Sequence, residues 1–440
     1  MSRLASGLFW IAIYLGLVLA PIAVLFLGEP PPPGGFWWDL SIALGFAGLT
    51  MMGVQFLLTA RFKRATAPFG IDIIYYFHRY AAVAGFLIVV AHPVVLFVND
   101  PSLIIYLDPL TAPGFMTAGV LSIVALTTIV VSSTWRAKLR LSYDAWRVMH
   151  SALAAGAVLL ALWHVHSIRF YLADPWKRHL WTVITLSWLA VLVHVRVVKP
   201  WTLKRHPFRV TDVRAERGDA WTVAVEPDGH SGFTFQPGQF AWLTIGHGPF
   251  AMKEHPFSIA SAPGLPAGRV EFTIKELGDF TRTVGNLERG ATAWVDAPYG
   301  AFSIDRLPAE GYVFLAGGIG IAPIMSMLRT LVARGDRRSH ILFYAYRTWE
   351  RLTFREELEA MAETLDLRLV FVLEEPPEGW TGETGRIRSN LLARHLPEPI
   401  PSDRIYLVCG PQPMIQASER ALRALGVPLG RIHSELFNLV

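Results

Sequence analysis

Two apolar stretches of the chain each carry a pair of histidines at the same spacing. His78 and His92 stand fourteen residues apart in one, and His150 and His164 fourteen apart in the other. Fourteen residues are nearly four turns of α-helix, so each pair falls on one helix face, roughly 21 Å apart along the axis. Two helices with equal spacing can face each other at two levels. Neutral imidazole ligates iron, and haem iron commonly takes axial histidine. The pairs His78–His150 and His92–His164 would therefore hold two b-type haems at two depths. A lone histidine in a spanning helix more often makes a helix–helix hydrogen bond or lines a cavity; the matched spacing is what points to ligation. His166 is the alternative to His164. His179 and His194 have no partner at matching spacing and read as structural or interfacial. Arg79 and Arg147 pair either with haem propionates or with phosphates at the membrane surface.

A second set of motifs lies beyond residue 250. His255-Pro256-Phe257-Ser258-Ile259-Ala260-Ser261 follows a strand-like segment. A short Ser-bearing strand can lay its backbone and hydroxyl along a flavin, although by spacing alone any strand end would fit. Lys275 is followed by Gly278-Asp279-Phe280-Thr281, where a glycine-started turn opening a helix offers N–H groups and a hydroxyl to a pyrophosphate. Ala297-Pro298-Tyr299-Gly300 reads as a tight closing turn. Then Phe314–Pro323 (FLAGGIGIAP) runs strand, glycine-rich turn, helix. Glycines there let the backbone approach a phosphate, which the helix N-terminus attracts. It is not G-x-G-x-x-G, which disfavours the usual Rossmann dehydrogenase. Arg347 and Arg351 follow the next strand, where a guanidinium either pairs with an adenosine 2′-phosphate, favouring NADPH over NADH, or is a solvated charge. Cys409-Gly410-Pro411 ends another strand at the carboxyl edge where α/β ligands bind. Cys409 is either a small buried hydrophobe or a nicotinamide neighbour.

The elements that position these residues are legible in composition. The 440 residues are 52% hydrophobic and only 17% charged, with a mean hydropathy of +0.37. Disorder needs the reverse balance, and an ordinary soluble enzyme carries about 25% charge. A single cysteine excludes a disulfide framework, a thiolate-rich zinc site and a multi-thiolate iron–sulfur cluster. The net charge of +5 reads as Lys and Arg held at a membrane surface, not as a nucleic-acid signal. Six stretches approach the ~20 apolar residues of a spanning helix, near 8–28, 38–60, 72–98, 113–133, 145–166 and 177–198. Arg61, Lys63, Arg64, Arg136, Lys138, Arg140, Arg196, Lys199, Lys204 and Arg205 lie in alternate loops. The positive-inside rule then puts both termini in the cytoplasm. His78–His150 becomes the inner pair and His92–His164 the outer. Pro30–Pro33 reads as a stiff turn, and Trp37–Trp38 as an interfacial anchor. Past 200, short β-branched and aromatic segments bounded by turns indicate an antiparallel barrel, and from about 311 strands alternate with helices. The fold class is thus a multidomain membrane protein: a six-helix transmembrane bundle at 1–202, an antiparallel β-barrel at 203–308 and an α/β nucleotide-binding domain at 309–440.

Together these motifs resemble the ferric reductase and NADPH oxidase family in a compact prokaryotic form, over nearly the whole chain. HPFSIAS, GDFT, AGGIGIAP, CGP and the terminal Glu435–Phe437 run stand in the family's order behind the four histidines. The resemblance implies that His255, Pro256, Phe257 and Ser258 contact FAD, with Lys275, Gly278, Asp279, Phe280 and Thr281 near its phosphates. Gly317, Gly318, Ile319, Gly320 and Pro323 would receive the NADPH pyrophosphate. Cys409, Gly410 and Pro411 would lie by the nicotinamide, and Phe437 would cover the flavin ring. Many members end at that aromatic, whereas Asn438–Val440 follow it here.

The chemical logic is electron splitting: a nicotinamide gives two electrons as hydride, a b-type haem takes one, and a flavin handles both. Two stacked haems divide a ~30 Å hydrocarbon core into short hops. The leading expectation is an integral protein of a bacterial inner membrane that passes electrons from NAD(P)H to O2 or ferric iron. An electron-donating subunit serving a quinone or a periplasmic protein is the alternative. A haem-binding sensor or transporter is the third, against which the intact order of nucleotide motifs argues.

Overall fold

A computed structural model describes residues 3–28, 34–62, 71–398, 400 and 403–436. They form two compact units, one of the described residues within 3–62 and 73–200, the other of those within 201–436. The expectations on Pro30–Pro33, Lys63, Arg64 and Phe437–Val440 lie outside the described residues.

The first unit is helical: α1 (Arg3–Leu25), α2 (Phe36–Thr59), α3 (Ile71–Asn99), α4 (Gly114–Thr134), α5 (Tyr143–Ile168) and α6 (Pro175–Val193). Helix α6 runs on through a π turn, His194–Val198, into a short α7 (Lys199–Lys204). Among the described residues, six helical stretches of 19 to 30 residues are long and apolar enough to cross a bilayer. Each overlaps one expected span. Leu87, Val98, Val124 and Val183 point outward, the arrangement a lipid-facing surface requires and an aqueous one resists. Inside, Phe46, Leu49, Val158, Trp181 and Trp188 form the core. Glycines let the helices approach closely: a Cβ on Gly53 would sit 2.2 Å from the Trp188 indole, and one on Gly48 would sit 2.9 Å from the Val89 backbone nitrogen.

The second unit begins with a six-stranded antiparallel sheet in the order β4-β3-β6-β1-β2-β5. Its strands are β1 (Phe208–Glu216), β2 (Ala220–Pro227), β3 (Phe240–Ile245), β4 (His255–Ser258), β5 (Val270–Lys275) and β6 (Thr292–Tyr299). A bridge between Ile259 and Phe272 and a hydrogen bond from the Ala260 amide to the Glu271 carbonyl, 2.8 Å, bring the two edges together. Closure removes both edges and encloses the core of Val223, Leu243, Ile259 and Phe272. Strand β6 runs through Ala297 and Pro298 to Tyr299, so most of the Ala297–Gly300 segment expected as a tight turn is strand, and only Gly300 lies beyond it. The last part is a sheet in the order β10-β9-β8-β7-β11-β12 with parallel pairing throughout. It comprises β7 (Tyr312–Gly317), β8 (His340–Tyr346), β9 (Leu367–Leu373), β10 (Glu383–Thr384), β11 (Ile405–Cys409) and β12 (Ile432–Glu435). Helices α8 (Ile321–Ala333), α9 (Arg355–Thr364), α10 (Ser389–His395) and α11 (Gln412–Ala424) accompany it. Two separate apolar clusters flank the sheet, which is why its central strands are apolar on both faces.

Candidate functional site

The four expected histidines share one local arrangement in the helical unit. His78 Nδ1 lies 2.9 Å from Gln55 Oε1. His92 Nδ1 lies 2.8 Å from the Ser41 carbonyl, and His164 Nδ1 3.0 Å from the Phe115 carbonyl. His150 Nδ1 lies 3.4 Å from Ser133 Oγ, whose hydroxyl already donates to the Ile129 carbonyl at 2.6 Å. Each acceptor oxygen requires a proton on Nδ1, which leaves the lone pair on Nε2. This is the tautomer a metal-ligating imidazole adopts, with the other nitrogen tied to a carbonyl or hydroxyl. His78 and His150 lie within electrostatic reach of each other, as do His92 and His164. Glycine makes room for two of the rings: a Cβ on Gly45 would lie 3.3 Å from the His92 ring, and one on Gly119 2.7 Å from His164 Nδ1. His166 is arranged differently, with Nε2 2.7 Å from Thr182 Oγ1. His194 stacks on Phe62. Arg147 is buried over the Tyr143 ring, whereas Arg79 is exposed. Arg196, which the sequence reading assigned only to orientation, is carried by the π turn and donates to Ser151 Oγ at 3.1 Å, one residue from His150.

In the barrel, β4 sets the HPFS residues against β3, with His255 opposite Leu243 and Ser258 opposite Phe240. The His255 ring stacks on Phe280 at 4.5 Å and 10°, which joins the HPFS and GDFT segments in space. Thr281 Oγ1 accepts from the amides of Leu277 and Gly278, both at 2.8 Å. The helix that follows is a six-residue 3-10 helix, Thr281–Asn286. Lys275 Nζ reaches Tyr346 Oη at 3.5 Å and sits 5.2 Å from that ring's centroid.

The glycine-rich turn and the CGP turn pack directly on each other. Cys409 pairs with Ala316 on β7 and with Glu435 on β12. A Cβ on Gly320 would fall 2.3 Å from the Cys409 carbonyl, and one on Gly317 would fall 2.2 Å from Met414 Sδ. Gly318, at φ 53°, has nothing within 4 Å of a Cβ position, and its carbonyl accepts from Tyr344 Oη at 3.2 Å. Ile319 lies within the 3-10 turn Gly318–Gly320, and Pro323 lies in the first turn of α8. Cys409 is fully buried; burial pushes its thiol pKa well up, and the adjacent Glu435 pushes it the same way. The sulfur is therefore a protonated thiol at neutral pH. Arg347 meets Glu375 at 2.8 Å, and Arg351 pairs with Asp219.

Models of three families match this chain. The ferric reductase like transmembrane component matches residues 44–161, the FAD-binding domain 222–302 and the oxidoreductase NAD-binding domain 314–420. The three matched regions follow one another along the chain in the order transmembrane, flavin-binding, nucleotide-binding. The transmembrane match takes in His78, His92 and His150 and ends three residues before His164. Among curated proteins, this chain is 33% identical to an NADH-cytochrome b5 reductase 1 of Pyricularia oryzae, over 39% of this chain and 58% of the relative. It is 30% identical to a glycine betaine monooxygenase reductase subunit of Chromohalobacter salexigens, over 54% of this chain and 65% of the relative. It thus spans less than two thirds of either. A solved flavohemoglobin from Malassezia yamatoensis aligns with a TM-score of 0.48 at 19% identity, covering 91% of this chain and 98% of that one.

Two features of the reductase half escaped the sequence reading. Glu435 was noted only within a terminal run, yet it is buried beside Cys409, and a Cβ on Gly300 would lie 3.1 Å from its Oε1. Its place on β12, in register with Cys409, needs the strand order, which no local signal gives. A cavity of about 520 Å³ is lined by Glu374, Glu375, Thr384, Arg386, Arg388 and Arg394, among others. It opens at the carboxyl ends of β9 and β10, the edge where α/β ligands bind.

Proposed function

We propose that this chain carries electrons from cytosolic NAD(P)H through FAD and two b-type haems to a small-molecule acceptor across the membrane, O2 giving superoxide or a ferric complex. The observation that carries the haem reading is the common Nδ1 arrangement of His78, His92, His150 and His164, which turns four Nε2 lone pairs free for iron. His78 with His150 would hold the inner haem and His92 with His164 the outer, and the carbonyls of Ser41 and Phe115 would fix the outer rings' tautomers. Arg147 and Arg196 would face the propionates of the inner haem.

Bound FAD supplies the conversion of a hydride into single electrons, and the haems carry those electrons one at a time. The chain's own residues bind and align. His255–Ser258 and Gly278–Thr281 would hold FAD, with Lys275 near its phosphates. Gly317–Gly320 and Pro323 would receive the nucleotide's pyrophosphate, Arg347 its 2′-phosphate, and Cys409, Gly410 and Pro411 the nicotinamide. Phe437 would cover the flavin and move aside in each turnover. The reading divides the chain at 1–202, 203–308 and 309–440, places it in a bacterial inner membrane and puts both termini in the cytoplasm.

The test is anaerobic addition of NADPH to purified protein reconstituted with FAD, followed by air or ferric chelate. The expected result is reduction of two bis-histidine haems and their reoxidation by one of the two acceptors. Protein holding no haem would overturn the reading. A second reading, an electron-donating subunit serving a quinone or a periplasmic protein, draws on the relatives that are named reductase subunits. Haems that reduce and then resist both acceptors would favour it.

A further inference from the structure

Helix α8 starts at the glycine-rich turn, and Arg329 stands about 13 Å along it, nine residues past Gly320. There the helix crosses from the nucleotide domain onto the barrel. Ser326 Oγ donates to the Ser261 carbonyl at 2.7 Å, and Arg329 Nη1 donates to the Ala260 carbonyl at 2.9 Å. Ala260 and Ser261 directly continue the segment that begins with the HPFS strand. Arg329 is itself held: Nε and Nη2 make a bidentate pair with Glu357 of α9 at 2.7 and 2.8 Å. Glu271 of β5 lies 3.5 Å from Nη1, and the Phe354 ring centroid 5.1 Å from the guanidinium carbon. The side chain is only 15% exposed. A buried guanidinium is costly unless fully paired, and this one is paired on three sides by two parts of the molecule.

We propose that Arg329 is a positioning residue for hydride transfer, which locks the nucleotide-binding end of α8 in register with the flavin-binding segment after β4. This rests on the reading that Gly317–Gly320 receive the nucleotide and His255–Ser258 the flavin. Arg329 touches neither ring. It acts through two carbonyl bonds, with Ser326, that fix helix against strand. Without such bonds, two domains joined by one connection move relative to each other by default. Hydride transfer is sensitive to that motion, since a displacement of about 1 Å costs up to about 100-fold in rate.

The experiment is anaerobic stopped-flow reduction of FAD by NADPH in full-length, FAD-loaded protein, comparing the parent with Arg329→Gln and Arg329→Lys. Lysine keeps the charge and one donor but loses the bidentate pair. In Arg329→Gln the limiting rate of flavin reduction is expected to fall roughly tenfold or more. The Kd for NADPH, read from saturation of that rate, should stay within about threefold, with FAD content unchanged, and Arg329→Lys should be intermediate. A limiting rate within about twofold of the parent in both variants overturns the proposal. So does a loss of FAD or of nucleotide affinity that accounts for the whole effect in both, because that is what a merely structural arginine would give. A parent whose flavin neither NADPH nor NADH reduces overturns the reading beneath it as well.

Discussion

At the scale of single residues, the arrangement around each imidazole decides which ring nitrogen keeps its lone pair. His164 and His166 are two positions apart on one helix, and spacing alone leaves both eligible. The structure ties His164 Nδ1 to the Phe115 carbonyl, leaving Nε2 as the lone-pair nitrogen, and engages His166 Nε2 with Thr182. His164→Ala is expected to halve the haem content measured as the pyridine haemochrome, and His166→Ala to leave it unchanged; the reverse outcome would move the ligand by two residues. Arg347 offers a second contrast. Its guanidinium already meets the Glu375 carboxylate, so a 2′-phosphate must compete with a resident anion. Arg347→Ala should raise KM for NADPH severalfold and leave that for NADH nearly unchanged, whereas Glu375→Gln should lower KM for NADPH. Steady-state kinetics with both nucleotides would read the two effects, and equal use of the nucleotides by all three proteins would refute the assignment.

At the scale of elements, close approach is bought with glycine and held with charge. Helices α4 and α5 meet where Gly119 faces His164, and a methyl group there would intrude to 2.7 Å on Nδ1. Gly119→Ala should therefore displace the ring. The expected cost is about 1–3 kcal/mol of stability and weakened retention of the outer haem, read by thermal loss of its visible absorbance; Gly156→Ala, which meets nothing within 4 Å, is the control. In the second unit, Asp336 braces the residues that lead into β8. It accepts from Arg338 and from His340 Nε2, the latter at 3.2 Å. Burial opposes its ionisation, but Arg338 and His340 outweigh that and hold the carboxyl at about 2, below its ordinary 3.8. A depressed carboxylate contributes stability that is present above the unfolded pKa and is lost as pH falls through the folded one. Asp336→Asn should thus cost about 1–2 kcal/mol at pH 7, after screening is allowed for. The difference from the parent should shrink as pH falls from about 4 towards 2. Denaturation of the purified chain across that range measures it, and a constant difference would refute the assignment.

At the scale of the whole molecule, the membrane unit and the reductase unit follow different solvents. The helical unit turns Leu87, Val98 and Val183 outward, while the reductase unit buries its apolar residues in three clusters. The proposed function, with NAD(P)H on one side and the acceptor on the other, would use both. The basic loops predict that side: a tag at the carboxyl terminus should resist protease in intact spheroplasts and be cleaved after lysis. Cleavage before lysis would invert the orientation.

Much of this was settled by sequence. Six spans are legible because a bilayer demands about 20 apolar residues in a row, whatever the neighbours are. The histidine pairs are legible because helix periodicity is a local property. Strands β3 and β7 and helix α8 fall where their patterns put them, since alternation and glycine punctuation act over a few residues. What sequence could not decide is everything set by partners distant along the chain. Gln55, Ser41 and Phe115 fix the imidazole tautomers from 23 to 51 residues away, and no spacing rule reaches them. Glu435 meets Cys409 only because β12 pairs beside β11. The GDFT segment reads as a helix start, but only the fold shows that the helix is a short 3-10 one, with the Thr281 hydroxyl taking the Leu277 and Gly278 amides. Arg329, one more arginine on an amphipathic helix by its pattern, became a clamp only when closure of the barrel brought Ala260, Glu271 and Glu357 around it. Local periodicity is written in the chain, whereas which buried charge finds which carbonyl is decided when the elements pack.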